Sequence, residues 1–406
     1  MKGTEQIPER YHSSRGKIQA GQVVSSGTSG SHTPRAAYIH VPFCAHKCGY
    51  CDFASLAGSD HLADRYLVAL EREMAMRLSE PRPVDTIFIG GGTPTRLDAS
   101  QLARLLSAVA HWFPLDAGGE WTVEANPGTL DESKVEVLHR GGVNRVSLGA
   151  QSFHRPSLKV LERNHDPEDV PKAVDWVRSA FDRWSLDLIF GVPGSTLEHW
   201  SNDLEQALAL GPDHLSCYGL TFEKGTLLWK QQADGAVHAI DEDVEYAQFA
   251  YALDRLASAG LRQYEISNHA RPGQECRHNL VYWSNAPYFG VGLGAARFVD
   301  RVRAINTRDL MAYLKRVEAG DDPTGPSEQL ETDEFARETL MLMLRRTQLG
   351  VNRQEFQERT GVSLESVAGE SLGRHIQRGN LEDDGQKVWL TRQGIFVADM
   401  VLADML

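Results

Sequence analysis

At 406 residues the chain is long enough for two to three domains. With 41% hydrophobic and 24% charged residues it has the composition of an ordinary core-forming protein, which excludes collagen, coiled coil and wholesale disorder. Its 42 basic and 55 acidic residues leave a net charge of −13, which argues against gripping nucleic-acid phosphates over a broad face.

Residues 1–34 are polar and poor in aliphatic side chains, with Ser-Ser-Gly-Thr-Ser-Gly-Ser over 25–31. Such a segment cannot bury enough apolar surface to offset its ordering entropy and is expected to form a disordered tail. From residue 36, β-rich runs at 36–43, 84–91, 120–126, 145–151, 184–190 and 214–220 alternate with segments at 62–78, 100–112, 130–140, 167–179 and 197–210. The apolar residues of the latter recur every three or four positions, the helical period. Six strand–helix alternations predict a parallel sheet with helices over its outer face. Six fall short of a closed eightfold barrel, so an α/β fold, an open partial (β/α)6 barrel over 35–225, is expected, with ligand-binding residues just after the strands.

The alternation stops after about residue 225. A helix at 241–259, a strand-like run at 263–267 and an aromatic-rich stretch to Phe298 make up an extension over 226–308. Residues 309–406 read as a smaller, mostly helical domain, with helices at 331–346, 353–360 and 364–378, a hairpin within 381–390 and a final helix. Helices followed by a small hairpin resemble a winged helix, and the acidity favours packing or a protein partner over DNA. No run of about 18 apolar residues exists to span a bilayer, and no apolar signal segment opens the sequence, so a cytoplasmic protein without a transmembrane segment is expected.

Five cysteines, an odd number, do not make a secreted disulfide framework. Cys44, Cys48 and Cys51 crowd a CxxxCxxC run just after the first strand, while Cys217 lies within an apolar strand and reads as core. A closed structural zinc site needs four protein ligands, so zinc would require His46 as the fourth. Three thiolates on an iron–sulfur cluster instead leave one iron open to an exogenous ligand. Gly49 permits the tight turn, and Phe43, Tyr50 and Phe53 can shield the loop. His40, on the first strand, is close enough in sequence to tune the cluster by hydrogen bonding.

CxxxCxxC after the first strand of a βα repeat resembles the radical S-adenosylmethionine (SAM) superfamily. Gly90-Gly91-Gly92-Thr93-Pro94, Glu124-Ala125-Asn126-Pro127, Ser147-Leu148-Gly149-Ala150-Gln151-Ser152 and the run from Asp187 to Gly194 stand in order at the next four strand ends and carry the likeness along the barrel. The resemblance implies a [4Fe–4S] cluster on Cys44, Cys48 and Cys51, its free iron chelated by SAM. It also implies SAM contacts from Tyr38, Gly91, Gly92, Glu124, Gln151, Arg163 and Asp187. Carboxylates suit the ribose hydroxyls and the ammonium, and Arg163 suits the SAM carboxylate.

Within the superfamily the pattern after residue 35 is most similar to the coproporphyrinogen dehydrogenase-like branch. The porphyrinogen-oxidising members carry CxxxCxxCxC, and Phe53 stands here at the place of the last cysteine. The run Glu275-Cys276-Arg277-His278-Asn279-Leu280-Val281-Tyr282-Trp283 holds HNxxYW after Cys-Arg and resembles the heme chaperones of that branch. A heme site wants an axial donor, an aromatic wall and a cation for the propionates, which Cys276 or His278, Tyr282 with Trp283, and Arg277 would supply. The relatives' glycine-rich segment reading GAHS is here Gly294-Ala295-Ala296-Arg297, without the histidine, and His269 is the candidate substitute. The function implied is a heme chaperone that passes heme to an acceptor protein, soluble or membrane-bound, with no nucleic-acid partner. The alternative is an oxygen-independent coproporphyrinogen III dehydrogenase or another radical-SAM enzyme acting on a tetrapyrrole.

Overall fold

The computed structural model describes residues 33–406. The tail expected over 1–34 lies, except for its last two residues, outside the described residues. Six strands, β1 (Ala36–Val41), β2 (Val84–Gly91), β3 (Leu115–Ala125), β4 (Arg145–Gln151), β5 (Trp184–Phe190) and β6 (His214–Gly219), lie side by side in chain order, all parallel. Helices α1 (Ala63–Arg77), α2 (Ala99–Trp112), α3 (Glu132–Arg140), α4 (Asp169–Ala180) and α5 (Leu197–Ala209) connect them. Asp98 and Gln101 close a capping box on α2, and Thr196 caps α5 with His199, which fixes where each crossover helix starts.

Three more strands extend the sheet: β7 (Arg262–Glu265), β8 (Asn268–Ala270) and β9 (Phe289–Val291). The order is β9-β1-β2-β3-β4-β5-β6-β8-β7, and among the described residues its two edges do not pair with each other. The barrel is therefore partial, as six repeats imply. The packed core lies between the sheet and α1–α5, around Ile39, Ile87, Val123, Leu148 and Leu188, and includes Cys217 and Trp184.

After the barrel the sequence reading is thinner. Helix α6 (Glu242–Ser258) was expected, and so was a strand near β7. A three-stranded antiparallel sheet, β10 (Ala296–Val299), β11 (Val302–Asn306) and β12 (Thr324–Gln329), was not, nor was helix α8 (Leu310–Ala319) between its last two strands. Thr-Gly-Pro-Ser-Glu-Gln in β12 has no apolar alternation and is exposed almost throughout, so pairing alone makes it a strand. Helix α8 packs on α1 through Tyr313, Leu314 and Val317 and belongs to the barrel's core. Buried Glu73 ties these pieces together, accepting from Gly292 N–H (2.9 Å), Asn306 Nδ2 (2.7 Å) and Tyr313 O–H (2.6 Å).

A second apolar cluster runs from Ala336 to Met405. It joins α9 (Thr332–Leu344), α10 (Arg353–Thr360) and α11 (Leu364–Gln377) to a small sheet of β13 (Val351–Asn352), β14 (Leu381–Asp383) and β15 (Lys387–Leu390), the winged-helix pattern. The final helix is broken in two at Val397, whose φ of −118° and ψ of 27° are not helical.

Candidate functional site

The cysteine loop begins where β1 ends. Phe43–Cys44 pairs with Leu56–Ala57 and closes the loop at its base, and Cys51 N–H bonds Cys48 O at 3.1 Å inside it. Cys44 is buried, Cys48 and Cys51 half-buried. Each sulfur has a polar neighbour: Thr93 Oγ1 at 3.8 Å from Cys44, Ser55 Oγ at 3.9 Å from Cys51, and Arg163 Nη1 donating to Cys48 at 3.5 Å. Burial pushes the Cys44 and Cys51 thiols up, so a metal rather than solvent must draw their protons off. His46 turns to Glu162 (3.1 Å). Among the described residues no three His, Cys, Asp or Glu side chains converge as they do about a single ion. A cubane does not require that convergence, because each thiolate binds its own iron.

The three cysteines open on a cavity of about 580 Å³ lined also by Gly91, Gly92, Glu124, Gln151, Arg163 and Asp187. The second strand's glycines are forced. Gly91 has φ +111° and a Cβ there would meet the His40 ring, while a Cβ on Gly92 would stand 2.8 Å from the Pro42 carbonyl carbon. His40 Nε2 donates to Ala54 O (3.0 Å), so Nδ1 accepts from Tyr38 O–H (3.0 Å), and burial lowers this histidine to about 4. It holds the loop and lines the larger cavity beyond rather than this one.

Gly91 N–H donates to Glu124 at 3.1 Å. Burial first, then the charge of Asp187, push Glu124 up to about 7. Asp187 is itself raised by burial and accepts from Ser147 Oγ at 3.0 Å. Gln151 sits at φ 63°, a left-handed conformation costly for a residue with a Cβ and typical of functional positions. Arg163 donates Nη2 to Gly149 O (2.7 Å), and its buried Nε has no protein partner. This donor set fits the groups the resemblance implies. The thiols suit a cluster, the acid pair suits a cationic ligand, and the guanidinium with a donor to spare suits a carboxylate. Of the residues expected to touch SAM, only Tyr38 lies outside this cavity.

Tyr38 lines instead a larger cavity of about 970 Å³ that fills the barrel lumen and shares Gly91, Glu124, Ser147 and Asp187 with the first. Phe88, Tyr282, Trp283, Tyr288 and Phe298 give it aromatic walls. The HNxxYW run forms a short helix, α7 (Arg277–Trp283), whose N-terminus rests on buried Glu120, which accepts from Arg277 N–H and His278 N–H, both at 3.1 Å, and from the Cys276 thiol at 3.5 Å. Cys276, Tyr282 and Trp283 line the cavity.

His278 does not. It is fully buried, with Nδ1 bonded to Thr86 Oγ1 and Nε2 to Tyr282 O–H, both at 2.9 Å, and burial lowers it to about 3. Both ring nitrogens are used, leaving none for iron in this arrangement. Arg277 is exposed and donates to Gly118 O (2.7 Å), away from the lumen. His269 is buried outside both cavities. The buried cation the sequence reading missed is Arg145, at the start of β4, which lines the lumen together with Thr122 and His214; Arg303, Arg308 and Arg316 line the same cavity but are partly or fully exposed. Its signal was a polar alternation, Arg145, Ser147, Gly149 and Gln151 against Val146, Leu148 and Ala150, as of a strand facing a polar interior.

Residues 38–207 match the sequence model of the radical SAM superfamily, and residues 330–397 that of the HemN C-terminal domain. The heme chaperone HemW of Bacillus subtilis is 36% identical over 376 residues, covering 92% of this chain and 99% of its own. The heme chaperone HemW of Escherichia coli is 41% identical over 309 residues, 71% of this chain and 80% of its own. The solved structure of coproporphyrinogen III oxidase (HemN) from Escherichia coli, a radical SAM enzyme, superposes with a TM-score of 0.80 at 21% identity, over 92% of this chain and 90% of that one. The chain is thus a member of the radical SAM superfamily with the HemN-type architecture. Within the superfamily it belongs to the HemW family. Among the described residues no helix is long and apolar enough to cross a membrane.

Proposed function

We propose that this protein is a heme carrier: it takes heme into the barrel lumen and hands it to an acceptor protein in the cytoplasm. Cys44, Cys48 and Cys51 would hold a [4Fe–4S] cluster, which when bound offers one iron to a chelating ligand. Gly91, Gly92, Glu124, Gln151, Arg163 and Asp187 would seat SAM there, with Tyr38 closing the site from the lumen side. Cys276, Tyr282 and Trp283 would face the heme, and His278 would act at one remove by fixing the Tyr282 hydroxyl. The observation that carries this reading is the aromatic-walled lumen of about 970 Å³, at the upper end of small-molecule sites and continuous with the cysteine cavity. The curated names of the relatives agree with it, and the lack of a fourth cysteine at Phe53 argues against the porphyrinogen-oxidising alternative. Phe53 is 63% exposed and leaves the loop's rim apolar.

Anaerobically reconstituted protein titrated with hemin is expected to develop a saturable Soret band at one heme per chain, and to lose it to an apo-hemoprotein acceptor. A band that never saturates, or turnover of coproporphyrinogen under reducing conditions, would overturn the reading.

A further inference from the structure

Away from the cysteines, the lumen holds three buried polar atoms without a protein hydrogen-bond partner, Arg145 Nη2, His214 Nδ1 and Thr122 Oγ1. All three residues line the same cavity. They are 2%, 2% and 1% exposed; Arg145 and His214 open their strands, and Thr122, eighth of the eleven residues of β3, is level with Arg145, toward the end of the barrel opposite the cysteine loop. Thr122 and Arg145 are register partners on neighbouring strands.

Their chemistry is that of donors. Arg145 uses Nη1 on Gln274 O (3.0 Å) and stands 3.9 Å from Glu120, which leaves Nη2 uncommitted. The Tyr264 hydroxyl accepts from Cys276 N–H (3.3 Å) and meets His214 Nε2 at 2.9 Å. With the hydroxyl donating there, neutral His214 carries its proton on Nδ1, the atom with no partner. Glu120 accepts from α7 and stands beside Arg145 Nη1, and Asp187 accepts from Ser147, so both acids balance part of the guanidinium's charge while Nη2 stays free to donate.

We propose that the lumen floor is a carboxylate site, in which Arg145, His214 and Thr122 hold an acid side arm of the tetrapyrrole cargo. The inference rests on the carrier reading and deepens it: the cargo is recognised as a porphyrin acid, with its propionate end toward the strand starts. A guanidinium flanked by two neutral donors suits a carboxylate, and the polar floor below aromatic walls matches an amphipathic macrocycle.

The test compares hemin with hemin dimethyl ester on the reconstituted full-length protein, followed at the Soret band. Hemin is expected to bind at least about tenfold tighter than the ester, as charge-assisted bonds imply. Thr122→Val and Arg145→Lys should each narrow that ratio to below about threefold, with the iron and sulfide content of the cluster retained. Equal affinity for acid and ester in the unaltered protein, or a ratio untouched in Thr122→Val, overturns the site while leaving heme carriage intact. Absence of any hemin binding overturns the carrier reading itself. A fall in SAM affinity in Thr122→Val without a change in the ratio would assign the carboxylate to SAM and also overturn the proposal.

Discussion

Replacing Glu124 by Gln isolates the electrostatic strain of the acid pair. The side chain keeps its shape and an oxygen to accept from Gly91 N–H, but cannot ionise. Glu124 is raised from 4.5 to about 7 by burial and by Asp187. The folded state therefore binds its proton more tightly than the unfolded chain, and its ionisation withdraws stability as pH rises from about 4.5 to 7. The shift corresponds to about 3 kcal/mol, an upper figure because water in the cavity screens the charge. At roughly 2 cal/mol/K per residue of unfolding entropy, that is about 4 °C in Tm for a chain of this length. Glu124→Gln, without SAM, should thus melt up to about 4 °C higher than the unaltered protein at pH 8 and indistinguishably from it at pH 4.5. A cationic ligand beside the carboxylate reverses the balance, so SAM binding to the unaltered protein should weaken about tenfold from pH 8 to pH 6. In Glu124→Gln affinity should be lower and flat with pH. Scanning calorimetry across that range and titration with SAM read both effects. Parallel melting curves at every pH would refute the burial argument, and a pH-dependent SAM affinity surviving in Glu124→Gln would place the titrating group elsewhere.

Other consequences are as specific. Gly92→Ala drives a Cβ into the Pro42–Phe43 backbone and should reduce iron and sulfide per chain at least severalfold after reconstitution, whereas Gly194→Ala, at φ +78° with nothing within 4 Å, should cost about 1 kcal/mol of stability and keep the cluster. His278→Ala strands the Thr86 and Tyr282 hydroxyls and opens a cavity, so denaturant unfolding should show a loss of about 2–4 kcal/mol while the hemin Soret maximum keeps its position; unchanged stability with a shifted maximum would make His278 a ligand. Arg163→Met removes the donors to Cys48 and Gly149 and should weaken SAM binding by about tenfold or more in equilibrium titration.

The barrel was legible because two periodicities alternate along its sequence, one of two residues in the strands and one of three to four in the helices. The cysteine site was legible because its ligands are local, three within eight positions. The stretch from 268 to 330 was not, because its strands of three to six residues gain order from pairing with distant partners: β9 joins the sheet against β1, some 250 residues earlier, whereas the helices and hairpin after 330 fall close to where their periodicity places them. The same limit governed the individual heme candidates. HNxxYW could be read as a motif, but the accessibility of His278 depended on Thr86 and Phe88, nearly 200 residues upstream, which bond and stack on its ring. Arg145 escapes the sequence for the opposite reason: the motif of its strand points to ligands at the strand's end, whereas Arg145 stands at its start. In each of β3 to β6 the residues at alternate positions facing the lumen are polar: Thr122 and Glu124, Arg145 and Ser147, Ser185 and Asp187, His214 and Ser216. A packed barrel interior would have branched aliphatics there. Four consecutive strands with polar inner faces can be stable only around ligands or water, so the alternation that made the strands recognisable also shows that this barrel encloses a binding site.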